Sequence, residues 1–118
     1  VRYVFWDGKR LADGKDDDTI RPNIFIAAYV YPQLLAKKEW EACFDNALKE
    51  LWLPWGGLST ISKMHKLFAS HYTGSDDISY HRGDSWFWIN NLAALVIGVL
   101  RPFTHKRAPP IKSIRSRV

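Results

Sequence analysis

Cysteine is almost missing from this chain, with Cys43 standing alone among 118 residues. A single thiol excludes an intramolecular disulfide and fits a reducing, cytoplasmic setting. Long apolar runs are missing too. The longest weakly polar stretch, 89 to 100, contains two asparagines and falls well short of the roughly 20 residues a membrane span needs. No basic-then-apolar leader opens the chain, so a soluble protein without a signal peptide is expected. Acidic residues vanish after residue 100. The final stretch RPFTHKRAPPIKSIRSRV holds Arg101, Lys106, Arg107, Lys112, Arg115 and Arg117 and no carboxylate, whereas residues 1–100 hold eleven basic and twelve acidic side chains. The formal charge of +5 therefore belongs to the end of the chain and not to its body.

Aromatic residues, by contrast, are plentiful. At 14% aromatic and 47% hydrophobic, with six tryptophans, the chain can bury a core, and wholesale disorder is excluded. The length suits one domain. Residues 1–100 read as its folded part and 101–118 as a basic tail that gains too little burial to order. Such a tail can hold phosphate backbones through counterion release, so one reading is a non-enzymatic helical module binding nucleic acid.

The folded part reads as helical. Residues 1 to 6 are a short apolar start, followed by the polar loop GKRLADGKDDDT. Its run Asp16–Asp18 lacks the Gly and distal Glu of a calcium loop and reads as solvated. Pro22 suits a first helical turn, and Pro32 ends that helix near Tyr31. In AKKEWEACFDNALKELWL, residues Trp40, Cys43, Phe44, Ala47, Leu48 and Leu51 recur in steps of three and four, opposite Lys37, Lys38, Glu41, Asp45 and Lys49. This is one apolar stripe on a helix that stops at Pro54 and Gly56–Gly57. Residues 54–83 carry four glycines and three of the four histidines, with no long element, and loops of that length tend to carry function. Asp84 or Ser85 then caps a helix from Trp86 to Leu100. Apolar nearly all round, that helix is expected to be buried on most sides.

The order RPN, GGLSTIS, HYTG and SYHRGDSWFW resembles the C-terminal region of the glycogen-debranching, amylo-α-1,6-glucosidase family. The shared positions are Arg21, Pro22 and Asn23; Gly57, Leu58, Thr60 and Ser62; Tyr72 and Gly74; and Tyr80, His81, Gly83, Trp86 and Trp88. The last group is the most specific, because its spacing is fixed. Ile24 stands where many members carry glutamine, and Ile61 where leucine is usual. The resemblance spans about residues 3 to 98. It implies an all-α fold, part of an (α/α)6 barrel with a long loop on the substrate side. The implied activity is hydrolysis of α-1,6 branch linkages in glycogen-like α-glucans, without metal or other cofactor.

A sugar presents an apolar C–H face and a rim of hydroxyls, which rings and hydrogen-bonding side chains meet respectively. The residues expected to hold it are Arg21, Asn23, Thr60, Tyr80, His81, Arg82, Gly83, Asp84, Trp86 and Trp88. Trp86 and His81 are the candidates for stacking and hydrogen bonding, and Gly83 for close backbone approach. Plain core packing is the competing reading of Trp86 and Trp88, as loop anchoring is for His81. The spacings of His65, His71 and His81 fit no compact zinc motif. Glycoside hydrolysis needs two carboxylates, expected in the family upstream of Arg-Pro-Asn and downstream of Trp-x-Trp. No catalytic residue is therefore assigned here. The expected partners are an α-glucan or oligosaccharide and either another copy of the chain or the missing part of the barrel. A membrane is not expected, and nucleic acid only on the competing reading.

Overall fold

The computed structural model describes residues 2–74 and 77–100. Five α-helices occur among them: α1 (Arg2–Phe5), α2 (Asn23–Val30), α3 (Lys37–Leu51), α4 (Asp77–Tyr80) and α5 (Phe87–Leu100), with a 3-10 turn at Pro32–Leu34 between α2 and α3. Strand structure among the described residues is limited to isolated bridges, such as Trp6 with Leu11 and Trp52 with Leu58. The chain is thus helical with little strand, as expected. None of these helices is long and apolar enough to cross a membrane. The expectation for the basic stretch 101–118 lies outside the described residues.

Prolines and glycines set the helix limits. The Pro22 carbonyl accepts a bond from the Phe25 N–H at 3.0 Å as α2 begins. Pro32 has no N–H with which to continue the ladder, and the chain tightens into the 3-10 turn. The indole N–H of Trp40 then donates to the Pro32 carbonyl at 2.8 Å, so the ring that fills the core also satisfies the turn. At the start of α3 the Glu39 carboxylate accepts the Ala36 N–H at 2.8 Å and a two-pronged pair from Arg2 at 2.8 and 2.6 Å. The Arg2 guanidinium, followed by the Ala36 N–H, holds the Glu39 carboxyl below its ordinary range. Being exposed, the pair fixes α1 against α3 more than it stabilises the fold. After Leu51 the chain reverses through Gly56, whose φ of +103° suits glycine.

The stripe on α3 faces inward as its spacing predicts. Trp40, Cys43, Phe44, Ala47 and Leu51 are buried, and Leu48 packs against them half-buried. Phe44 stacks between Phe25 of α2 at 5.2 Å and Trp40 at 5.6 Å. Helices α2 and α3 both pack on α5, which contributes Ile89, Ala93 and Val96.

Two expectations for α5 are corrected. It is not buried on most sides. Phe87 is 82% exposed and Val99 71%, because among the described residues α2 and α3 pack on one side of it. Nor do Asp84 or Ser85 cap it. The helix starts at Phe87, and the Trp86 carbonyl accepts the first bond from Asn90 N–H at 3.1 Å. The Ser85 hydroxyl accepts from the Asn90 amide at 3.0 Å, and the Asp84 carboxylate accepts from Ser79 at 3.2 Å.

The segment from Leu58 to Ser62 is irregular yet buried, so its backbone groups need partners. Leu58 N–H donates to the Asn90 side chain at 3.0 Å, Ser59 N–H to the Leu51 carbonyl at 2.8 Å and Ser62 N–H to the Ile20 carbonyl at 2.9 Å. The Ser62 hydroxyl donates to Glu50 at 3.0 Å. The chain therefore crosses the end of α3 as a bonded strap.

Because Phe44 lies at the centre of both ring stacks, Phe44→Ala is expected to cost about 3–5 kcal/mol, against less than about 0.5 kcal/mol for the exposed Lys38→Ala. Cys43 supplies the readout. Burial pushes its thiol from 9.0 up to about 11, so it stays protonated in the fold, and stability falls as pH rises from about 9 towards 11. Thiol-reagent labelling at pH 8 should be slow in the parent chain and Lys38→Ala, and fast in Phe44→Ala.

Candidate functional site

Arg21, just before α2, ties distant parts of the chain together. One terminal nitrogen, Nη1, donates to the Thr60 carbonyl at 3.0 Å and to the His81 carbonyl at 2.7 Å. Its Nε lies 3.7 Å from an Asp13 carboxylate oxygen, and the other Asp13 oxygen accepts the Asn23 side-chain amide at 2.8 Å. Three regions thus meet on one guanidinium: the polar loop, the strap and the turn after α4. A planar cation with a fork of donors suits this work, as a lysine would not.

The strap and the turn are also bonded directly. Gly83 N–H donates to the Thr60 hydroxyl at 3.0 Å, and Thr60 N–H to the Asp84 carbonyl at 3.0 Å. Behind them Ser79, fully buried, donates to the Asp84 carboxylate and accepts from the Thr73 N–H at 3.1 Å. Above the strap the rings gather. Tyr80 lies 4.6 Å from Trp86 and 4.8 Å from His81, and Trp86 lies 5.9 Å from Trp88. The Trp86 indole N–H is buried with no acceptor among the described residues. An unpaired buried donor is costly, roughly 1–3 kcal/mol.

These groups enclose an open cavity of about 280 Å³. Its walls are Arg21, Asn23, Thr60, His81, Trp86 and Trp88, completed by Asp13, Pro22 and Ile89. That volume is near the lower end of small-molecule sites, roughly 300–1,000 Å³, so it has room for one small ring. Polar side chains and indole rings share the lining, and such a mix offers directional hydrogen bonds together with apolar contact to a small polar ring. Two other cavities are larger, but they are an acidic hollow beside α1, about 380 Å³, and an apolar groove between α3 and α5, about 630 Å³.

Six of the ten sequence-predicted residues therefore come together: Arg21, Asn23, Thr60, His81, Trp86 and Trp88. The other four do not line the cavity. Tyr80 packs on Trp86 and His81, and the Arg82 N–H and carbonyl bond to Ser79 and Ala69. Asp84 is held by Ser79. Gly83 does permit a close approach, but the approach is to Ala69, whose carbonyl oxygen a Cβ at 83 would overlap. Asp13 was not foreseen. In the sequence it is one of several acids in a polar loop, and no spacing separates it from Asp16–Asp18. The bridges Trp6–Leu11 and Gly14–Asp17 fold that loop so that Asp13 reaches Arg21. No group of His, Cys, Asp and Glu suited to a metal occurs among the described residues.

The family whose pattern matches this chain is described as amylo-alpha-1,6-glucosidase, and the match covers residues 3–115. The chain belongs to the amylo-alpha-1,6-glucosidase family. Membership in this family points to a glycoside-hydrolase type of enzyme. The matched span runs beyond residue 98, where the resemblance was expected to end, and takes in most of the basic stretch. No individual curated protein matches the chain. Within the family frame, the Arg-Pro-Asn and Tyr-His-x-Gly-x-x-Trp-x-Trp motifs supply most of the cavity wall.

Gly83→Ala should be among the most damaging single-atom additions to this site. The new methyl group must displace the Ala69 backbone or the turn, at about 1–3 kcal/mol, and either movement disturbs His81 and Trp86. Near-ultraviolet circular dichroism should lose intensity while the far-ultraviolet helical signal is kept. By contrast Gly98→Ala, where a Cβ meets nothing within 4 Å, should leave both signals intact.

Proposed function

We propose that this chain is the sugar-holding part of a glycosidase that cuts α-1,6 branch linkages in glycogen-like α-glucans. The observation that carries this reading is the cavity that gathers Arg21, Asn23, Thr60, His81, Trp86 and Trp88. Family membership supports it independently. In this reading Trp88, 52% exposed, offers its ring to the apolar face of a glucosyl unit, and Trp86 backs it. The Asn23 amide and the His81 imidazole meet the hydroxyl rim, with Arg21 anchored between them. Tyr80, Arg82, Gly83 and Asp84 act through the turn they build and not by contact.

Hydrolysis itself is assigned elsewhere in the enzyme. Protonating the leaving oxygen and activating water need two carboxylates on opposite sides of the bond. Asp13 is the carboxylate among the cavity-lining residues, and it is engaged by Arg21 and Asn23. The chain holds the substrate, and the acid and base come from other parts of the same barrel.

The barrel also accounts for the unfinished faces. Residues 1–100 form an arc of an (α/α)6 barrel, with α2 and α5 as inner helices, α3 as an outer one and 101–118 as a basic extension. The groove between α3 and α5 and a smaller hollow of about 190 Å³ between α2 and α5 are the seams where further helices insert. Exposed rings such as Tyr29 and Phe87 are covered by those neighbours. The lone, free Cys43 thiol suits a reducing compartment such as the cytoplasm.

The test is made on the 118-residue chain alone. Given an α-1,6-branched oligosaccharide, it should quench tryptophan emission on binding yet release no glucose above background. Turnover abolished by Asp84→Asn would overturn the division of labour and make Asp84 catalytic. Sedimentation should show self-association through the uncovered faces. A monomer with sharp cooperative unfolding would instead mean a self-sufficient domain and sink the barrel reading.

A further inference from the structure

An arginine in a small cavity ordinarily selects anions, because its fork of donors matches carboxylate and phosphate oxygens. Arg21 lines this cavity and is only partly solvated, its side chain keeping 25% of its surface. Left alone, it would favour a phosphorylated or carboxylated sugar over a neutral one. It is not left alone. Asp13 lines the same cavity with a side chain 20% exposed, one oxygen 3.7 Å from Arg21 Nε and the other accepting from Asn23 at 2.8 Å. The Arg21 Nη1 donors are already spent on the Thr60 and His81 carbonyls. The other nearby acid, Asp17, is turned to Thr19 and fully solvated, so it screens Arg21 weakly.

We infer that Asp13 is a specificity-determining residue, which neutralises Arg21 and orients Asn23 so that the cavity accepts an uncharged sugar and rejects anionic ones. The inference rests on the reading of the cavity as a sugar site and adds the device that sets its selectivity. Two effects act in the same direction. The ion pair removes the positive field that would attract an anion, and the Asp13 carboxylate itself repels one. Meanwhile the Asn23 amide, held by Asp13 through its nitrogen, presents its carbonyl oxygen as an acceptor for a sugar hydroxyl.

The experiment compares methyl α-D-glucoside with methyl α-D-glucuronoside, its C6 carboxylate, by saturation-transfer NMR titration. That method tolerates a self-associating chain. Three forms are titrated: the parent chain, Asp13→Asn and Asp13→Glu. Asn keeps the shape and an oxygen for Asn23 but removes the charge, whereas Glu keeps the charge. The parent should prefer the neutral glucoside, and Asp13→Asn should shift that preference towards the glucuronoside by about tenfold. Asp13→Glu should stay close to the parent, which a loss of fold would not allow. An unchanged preference in Asp13→Asn would overturn the inference while leaving the sugar site standing. So would loss of both sugars alike in Asp13→Asn, since Asp13 would then be scaffold only. A parent chain that binds neither sugar would overturn the sugar-site reading itself, and the inference with it.

Discussion

Everything around the cavity depends on one guanidinium. Arg21 comes from the start of a helix, Thr60 from an irregular strap and His81 from a turn, and none of these belongs to a common sheet or helical ladder. Regular secondary structure would have fixed their spacing through repeated backbone bonds. Here two carbonyls converge on a single nitrogen at 3.0 and 2.7 Å. Bonds to a charged donor are stronger than neutral ones. The Thr60 carbonyl belongs to a buried residue, and leaving it without a donor would cost more than the bond contributes when present.

The core obeys a different logic. Between α2, α3 and α5 the contacts are rings and aliphatic chains, with the Phe25–Phe44–Trp40 stack at the centre. Such contacts are non-directional and tolerate rearrangement within limits of volume. The strap and turn are directional and tolerate little, as Gly83 against Ala69 illustrates. One chain thus holds a forgiving half that supplies stability and an exacting half that supplies shape. The strap is where they meet, since Ser59 bonds to Leu51 at the end of α3 while Thr60 bonds to the turn.

How much of this was legible in the sequence followed from the range of the forces involved. The α3 stripe was readable because helical period is local, and Pro32, Pro54 and Gly56 announced their stops for equally local reasons. On α5, periodicity was silent. A helix apolar all round does not say which face its neighbours cover, and Phe87 and Val99 lie on the uncovered side. The caps failed on competition: Ser85 and Asp84 are good capping types, but Asn90 and Ser79 hold them. Six cavity residues could be named because motif spacing carried them. Asp13 could not, because its role is created by a loop closure eight residues before its partner. Gly83 was recognised as a point of close approach, yet only the fold says that the approach is to Ala69.

Pro22 has a wider consequence. A residue preceding proline is kept out of helical conformations and left extended, and Pro22 is itself buried. Arg21 therefore loses less backbone entropy on being held, because the next residue has already restricted its φ and ψ. Its long side chain still gives up rotamer freedom to make the clamp. A cavity assembled this way exists before any guest arrives. A guest that fits it would not have to wait for this part of the backbone to order, which raises the share of encounters that succeed.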